Sequence, residues 1–356
     1  MFLLYITFFF LALLFLLNTY RVTRNSYFDL AFLIIVSYVL IFISGLNTTS
    51  VDYSQYVIMF KKASELPLHE YDKIHGEFFF LAISGFIYGL TSKPEYVFLF
   101  FSSVSVLITI YVISGNSKIA ALSCIIYFSH PYLNKEMIQI RAGLASAIIL
   151  LSIMMRVNGK NYLSLVYVFI ASLFHSSALV ALIPYSLSLI VKPEKQVKLC
   201  LILVCLSILF YILGGFDITI SILDSFGLVP YRVNNYLAWT EYNYDLGLLN
   251  PNTLKQLFLL FLLIYFFNGD KRQAIWICYF SVSVCWLISF SSMAIIAARV
   301  ASIISVAEII AIPMLAHSLT RGRKSMCLIL LFLYASVFIT NVTYKGIVKG
   351  LEYGIF

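Results

Sequence analysis

The chain has 356 residues, 62% of them hydrophobic and 11% charged, with a formal net charge of +8. Soluble domains average about 45–50% apolar and about 25% charged residues, so a water-soluble globular protein is excluded. The positive charge is not a nucleic-acid signature: Lys and Arg sit mostly in short links between apolar runs, where such residues set membrane orientation.

A spanning helix needs about 17–25 apolar residues. Thirteen candidate segments follow in order: 2–17, 28–45, 77–91, 95–114, 118–130, 138–155, 161–174, 176–191, 198–214, 253–268, 273–292, 298–317 and 326–343. Backbone at membrane depth must satisfy its own hydrogen bonds, so helices are the default and open sheets are excluded. The expected fold is all-α, a polytopic transmembrane helical protein with one domain over 1–356. It should make about 12 crossings, roughly 11 to 13. The first segment has no basic region ahead of it and no small-residue cleavage site, the pattern of a retained helix. No internal repeat is visible.

Basic links follow the first segment (Arg21, Arg24), the sixth (Arg156, Lys160), the eighth (Lys192, Lys195, Lys198), the tenth (Lys271, Arg272) and the twelfth (Arg321, Arg323, Lys324). Placed in the cytoplasm, they alternate without conflict from Arg156 onward. The early part does not close unless one segment fails to cross, either 77–91 or 118–130. Two polar stretches then fall on the outer side, 46–76 and 215–252.

Ionisable groups in or beside spanning helices are expensive, and point to function. Arg141 opens Ile140-Arg141-Ala142-Gly143-Leu144-Ala145, fifteen residues before Arg156, or about 22 Å of helix. It therefore lies near the outer boundary, either at a site or snorkelling to the interface. The small residues after it allow close approach of another helix. His175 falls between two apolar runs at an outer turn, either as a base or as a loop cap. Arg299 stands among alanines at the outer start of a helix. Glu308, nine residues on, is half a turn out of phase with it and is expected to pair elsewhere. Two outer arginines suit phosphate oxygens, because the guanidinium is a planar, permanently charged fork.

The 215–252 stretch carries Arg232, Tyr236 and Trp239 among further Tyr, Asn and Asp residues. Rings beside amides suit either a polyhydroxyl ligand or a headgroup belt. Asp52 and Glu77 are candidate functional carboxylates. Six cysteines lie in apolar runs without CxxC spacing, as small core residues. His69 and His75, flanked by acids, match no zinc spacing. No P-loop, dinucleotide turn or HExxH motif is present.

The order Asp52-Tyr53-x-x-Tyr56, Glu77 before an aromatic helix, Arg141-x-Gly-Leu-Ala, Phe174-His175-x-Ser-Ala-Leu and an isolated Arg299 resembles the EpsG-type, Wzy-like polysaccharide polymerases, from about residue 50 to about residue 320. The resemblance implies a GT-C-like architecture and a multi-pass protein of the bacterial inner membrane with its site facing the periplasm or outer side. It implies polymerisation of undecaprenyl-pyrophosphate-linked oligosaccharide units into O-antigen or a related surface polysaccharide. It implies no cofactor, no metal and no nucleic acid, and a separate chain-length regulator as partner. On that basis Arg141 and Arg299 would hold the pyrophosphate, and His175, or its rival Asp52, would be the base. Tyr53, Tyr56, Glu77, Arg232, Tyr236 and Trp239 would seat the glycan. A flippase or exporter, and an O-antigen ligase, are the alternatives. A membrane acyltransferase fits less well, because it calls for a catalytic His deep in a helix.

Overall fold

The computed structural model describes residues 2–20, 26–228, 244–319 and 322–344. Its described residues are helical, with no strand among them. Among the described residues, six helices are long and apolar enough to cross a membrane: 94–116, 140–157, 193–212, 271–289, 294–318 and 323–343. Shorter apolar helices cover 2–17, 29–45, 78–91, 161–172, 176–190 and 251–265. The 118–130 segment becomes an eight-residue helix, Ala120–Tyr127, and a widened turn, Phe128–Tyr132, around Pro131. Proline lacks an N–H and distorts the helix there. The Asn341 amide donates to the Ser129 carbonyl in that turn at 2.9 Å, and the Tyr132 hydroxyl to the Leu40 carbonyl at 2.6 Å.

Lipid tails are as apolar as leucine, so burial alone does not hold such helices together, and packing with interhelical hydrogen bonds does. Ser123 donates to the Ile309 carbonyl (2.8 Å), Ser152 to that of Ser164 (2.7 Å) and Ser283 to that of Ala301 (2.9 Å). Glu308 is buried and pairs with Lys255 at 3.5 Å, with the Tyr334 hydroxyl at 3.3 Å. At the Arg156 end, the guanidinium donates to the Ser188 hydroxyl at 2.9 Å and to its carbonyl. Cys124, Cys200, Cys278 and Cys327 are buried; Cys205 is exposed, a departure from the expected core placement.

The polar stretch 46–76 contains the helix Tyr53–Glu65 and the 3-10 turn Leu68–Lys73. Tyr56, Phe60 and Ala63 form its buried face at helical spacing. This helix packs alongside Phe78–Thr91. A side chain added at Gly85 would meet the Ala63 carbonyl oxygen at 2.6 Å, so only glycine permits that approach. Rings of Tyr56, Phe60, Phe80, Phe98 and Phe101 interlock between these helices and Pro94–Asn116.

Contacts at the ends of Pro94–Asn116 fix its direction. Tyr53 stacks on Phe98 at 5.0 Å near its start. Near its finish a side chain at Gly115 would face Met154 Sδ at 4.0 Å, two residues before Arg156. Ser26–Gly45 runs the opposite way, its Gly45 against the Leu99 backbone. Phe78–Thr91 therefore lies between Glu77 and a helix whose first turns pack on Tyr53.

Candidate functional site

Four residues distant in sequence line one pocket: Asp52, Arg141, His175 and Arg299, together with Tyr56, Gln139 and Ala142. The pocket encloses about 340 Å³, part of it open to solvent. Most of these residues stand where helices begin. Asp52 precedes Tyr53–Glu65, and its carboxylate makes no side-chain cap. Arg141 is the second residue of Ile140–Val157, and Gln139 precedes that helix. His175 immediately precedes the turn Ser176–Ala181, and Arg299 lies in Ala294–Ile304. The first turn of a helix leaves backbone N–H groups unpaired and carries partial positive charge, an arrangement that favours anions.

Arg141 is held by Glu77, whose Oε2 accepts from Nη1 at 2.8 Å. The other oxygen, Oε1, accepts from the Ser176 backbone N–H at 3.2 Å, linking the Arg141 helix to the His175 turn through one carboxylate. The guanidinium also lies over the Phe80 ring, 5.7 Å from its centroid. Arg141 Nε and His175 Nδ1 are buried and make no hydrogen bond within the described residues. Buried polar atoms normally have partners, and two orphans at one pocket point to a ligand.

The charges act on both candidate bases. Burial, then the Lys135, Arg141 and Arg299 cations, push His175 down to about 4 against the opposing pull of Glu77. The ring is neutral near pH 7 and a weak base. Burial raises the Asp52 carboxyl above its ordinary range, offset in part by Arg299 and Arg141. Asp52 is correspondingly a stronger base than an exposed carboxylate.

The other expected residues are placed differently. Glu77 faces Arg141 and orients it. Tyr56 lines the pocket and is 5% exposed. Tyr53 stacks on Phe98 and is absent from the pocket lining. Arg232, Tyr236 and Trp239 lie outside the described residues. No cluster of three or more His, Cys, Asp or Glu suited to a metal ion occurs among the described residues.

Gln139 was not legible as a lining residue, since an amide at a helix start reads as a cap. Nor were Lys135 and Glu136, which look in sequence like a charged link and are both buried. Glu136 Oε1 accepts from Ser105 at 2.7 Å and Tyr127 at 3.1 Å. A side chain at Gly143 would meet Glu136 Oε2 at 2.7 Å. Gly143 thus makes room for a carboxylate, and not only for another helix.

Comparison with known proteins agrees with the pattern. The model of the EpsG family matches residues 30–353. The Amylovoran biosynthesis protein AmsC of Erwinia amylovora is 28% identical over 292 residues, covering 76% of this chain and 75% of that protein. No solved structure matches the chain.

Proposed function

The chain belongs to the EpsG family, and from that premise we propose that this multi-pass membrane protein is a polysaccharide polymerase whose reaction occurs in the Asp52–Arg141–His175–Arg299 pocket. The observation that carries the reading is the convergence of two arginines, a carboxylate of raised basicity and a neutral imidazole on one pocket. The relative named for amylovoran biosynthesis supports the same class of reaction.

The donor is an oligosaccharide on undecaprenyl pyrophosphate. A hydroxyl of the incoming lipid-linked unit attacks the anomeric carbon of the growing chain. The new glycosidic bond forms as the bond from that carbon to the pyrophosphate oxygen breaks. The hydroxyl proton passes to Asp52, and undecaprenyl pyrophosphate departs carrying the bond's electron pair. Arg141 and Arg299 stabilise the charge that builds on the leaving oxygens. Glu77 fixes the Arg141 fork before substrate arrives, so little reorganisation is needed. Neutral His175 positions the acceptor by hydrogen bonding, and Tyr56 and Gln139 flank the sugar. This assigns the base to Asp52, the rival of His175 at the outset.

We further infer twelve crossings, with Phe78–Thr91 the apolar segment that does not cross. Supporting this, the helix on either side of it starts beside the pocket, and Pro94–Asn116 then runs to the Arg156 end. The pocket then faces the outer side of the inner membrane, opposite the basic links. Reconstitution of the purified protein with a lipid-linked repeat unit tests the reading: chain growth is expected, and loss of growth in Arg141→Ala and Arg299→Ala. An O-antigen ligase would need similar groups. Deleting a polymerase leaves single repeat units attached to the core, whereas deleting a ligase leaves none attached.

A further inference from the structure

Lys135 stands apart from the other cations of the fold. It is 3% exposed, and among the described residues its side chain makes one hydrogen bond, from Nζ to Ser302 Oγ at 2.6 Å. No carboxylate lies within 4 Å of it among the described residues, although Glu136 is the next residue in the chain. Glu136 turns the other way, to Ser105 and Tyr127. An ammonium has three donors, and one is used. Burying an ammonium is costly, and buried charges generally sit against an anion; Glu136, which shares a small cavity with Lys135, offsets only part of that cost. The other buried lysine obeys the rule, since Lys255 has Glu308.

The position of Nζ suggests which anion. Ser302 Oγ donates to the Arg299 carbonyl at 2.8 Å, one turn along the same helix. Gln139, four residues after Lys135, lines the pocket, as does Arg299. The side chain of Lys135 also lines a smaller cavity of about 220 Å³ with Glu136, Ser146, Ala147 and Val306. Ala142 lines the main pocket, and Ser146 and Ala147 line this cavity about one turn further along the same helix. The ammonium therefore lies behind Arg299, below the main pocket and outside the residues that line it.

We propose that Lys135 is a third cation of the pyrophosphate site, contributing its unused donors to phosphate oxygens of the lipid-linked donor from below, while Arg141 and Arg299 hold it from the sides. This rests on the proposed polymerase reading, in which the pocket takes a pyrophosphate. A compact ammonium with rotatable donors suits a position that is shared with Ser302. The positive charges of Lys135, Arg141 and Arg299 all act on His175, in agreement with a site built for a multiply charged anion.

The test is inorganic pyrophosphate binding to the purified full-length protein in nanodiscs, with thermal melting recorded alongside. Lys135→Met is expected to weaken binding by about tenfold or more while the protein still melts cooperatively. Unchanged affinity in a folded Lys135→Met protein overturns the assignment. If Arg141→Ala and Arg299→Ala weaken binding in the same experiment, only the Lys135 inference has failed. If those variants also leave binding unchanged, the pyrophosphate reading of the pocket has failed as well. Should Lys135→Met not fold, Ser302→Ala decides. It frees the ammonium for the ligand, so affinity raised by about threefold or more supports the assignment, and unchanged or lower affinity overturns it.

Discussion

Glu77 and Arg141, 64 residues apart, form an ion pair of 2.8 Å at the pocket wall, and the second oxygen of the same carboxylate takes the backbone N–H beside His175. One carboxylate thus holds an arginine and the histidine turn in fixed relation. Its two partners are both charge-assisted hydrogen bonds, each worth about 1.5–3 kcal/mol. Glu77→Gln should lower polymerisation by about 10- to 100-fold with normal protein levels in the membrane. Arg141→Lys should be nearly as defective as Arg141→Ala, because Lys keeps the charge and loses the fork. Repeat-unit ladders from cells carrying each variant measure both effects. Full-length ladders from Glu77→Gln would show that the pair is ornamental.

The two candidate bases separate by substitution. General base catalysis contributes about 10²- to 10⁴-fold, so Asp52→Asn should cost that much in turnover. His175→Gln retains a hydrogen-bonding group in place of a neutral ring and should cost about tenfold or less. The comparison is made on initial rates of chain growth with purified protein. The reverse order of severity would return the base role to His175.

The pH profile carries the same distinction with a definite sign. Asp52 accepts a proton only while ionised, and its carboxyl is raised above the ordinary 3.8. Activity should therefore be full near neutrality and fall as pH drops through that raised value. His175, down at about 4, stays neutral near pH 7. No step should appear near the ordinary histidine value of about 6.5. A step there that disappears in His175→Gln would contradict the assignment.

Gly143→Ala places a methyl group 2.7 Å from Glu136 Oε2. Overpacking of this kind costs about 1–3 kcal/mol, so the melting temperature in detergent should fall. Shortening the acid in Gly143→Ala with Glu136→Asp should recover part of the loss. No change in melting with Gly143→Ala alone would mean that the Glu136 carboxylate is not seated against this glycine.

The proposal that Phe78–Thr91 does not cross can be tested by labelling. Cysteine at Lys93 should react with a membrane-impermeant thiol reagent from outside the cell, and cysteine at Lys118 only after the membrane is opened. Labelling of both from the same side would overturn the twelve-crossing topology.

Much of the molecule was legible because lipid imposes severe rules. Apolar length marks helices, so every candidate segment became helical in whole or part. A charge near the membrane is expensive, so Arg141, His175 and Arg299 stood out before their positions were known. What stayed hidden depends on tertiary contact. Phe78–Thr91 is as apolar as a spanning helix and was one of two candidates not to cross; the contacts that favour it over 118–130, its packing against Ala63 and the direction of Pro94–Asn116, have no local signal. The helix Tyr53–Glu65 hid behind Lys61, Lys62 and Glu65, although Tyr56, Phe60 and Ala63 carry a helical period. Lys135 and Glu136 went unmarked because adjacent opposite charges usually form a surface link. Their burial on different neighbours has no local signal.

The most direct test of the site is polymerisation of a defined undecaprenyl-pyrophosphate-linked repeat unit by the purified protein in nanodiscs, comparing the unaltered protein with Asp52→Asn, Arg141→Ala and Arg299→Ala. Chain growth with the unaltered protein, lost or reduced by at least about 100-fold in all three correctly folded variants, is the expected result. Growth at an undiminished rate in folded Arg141→Ala and Arg299→Ala would contradict it and place the chemistry elsewhere in the molecule.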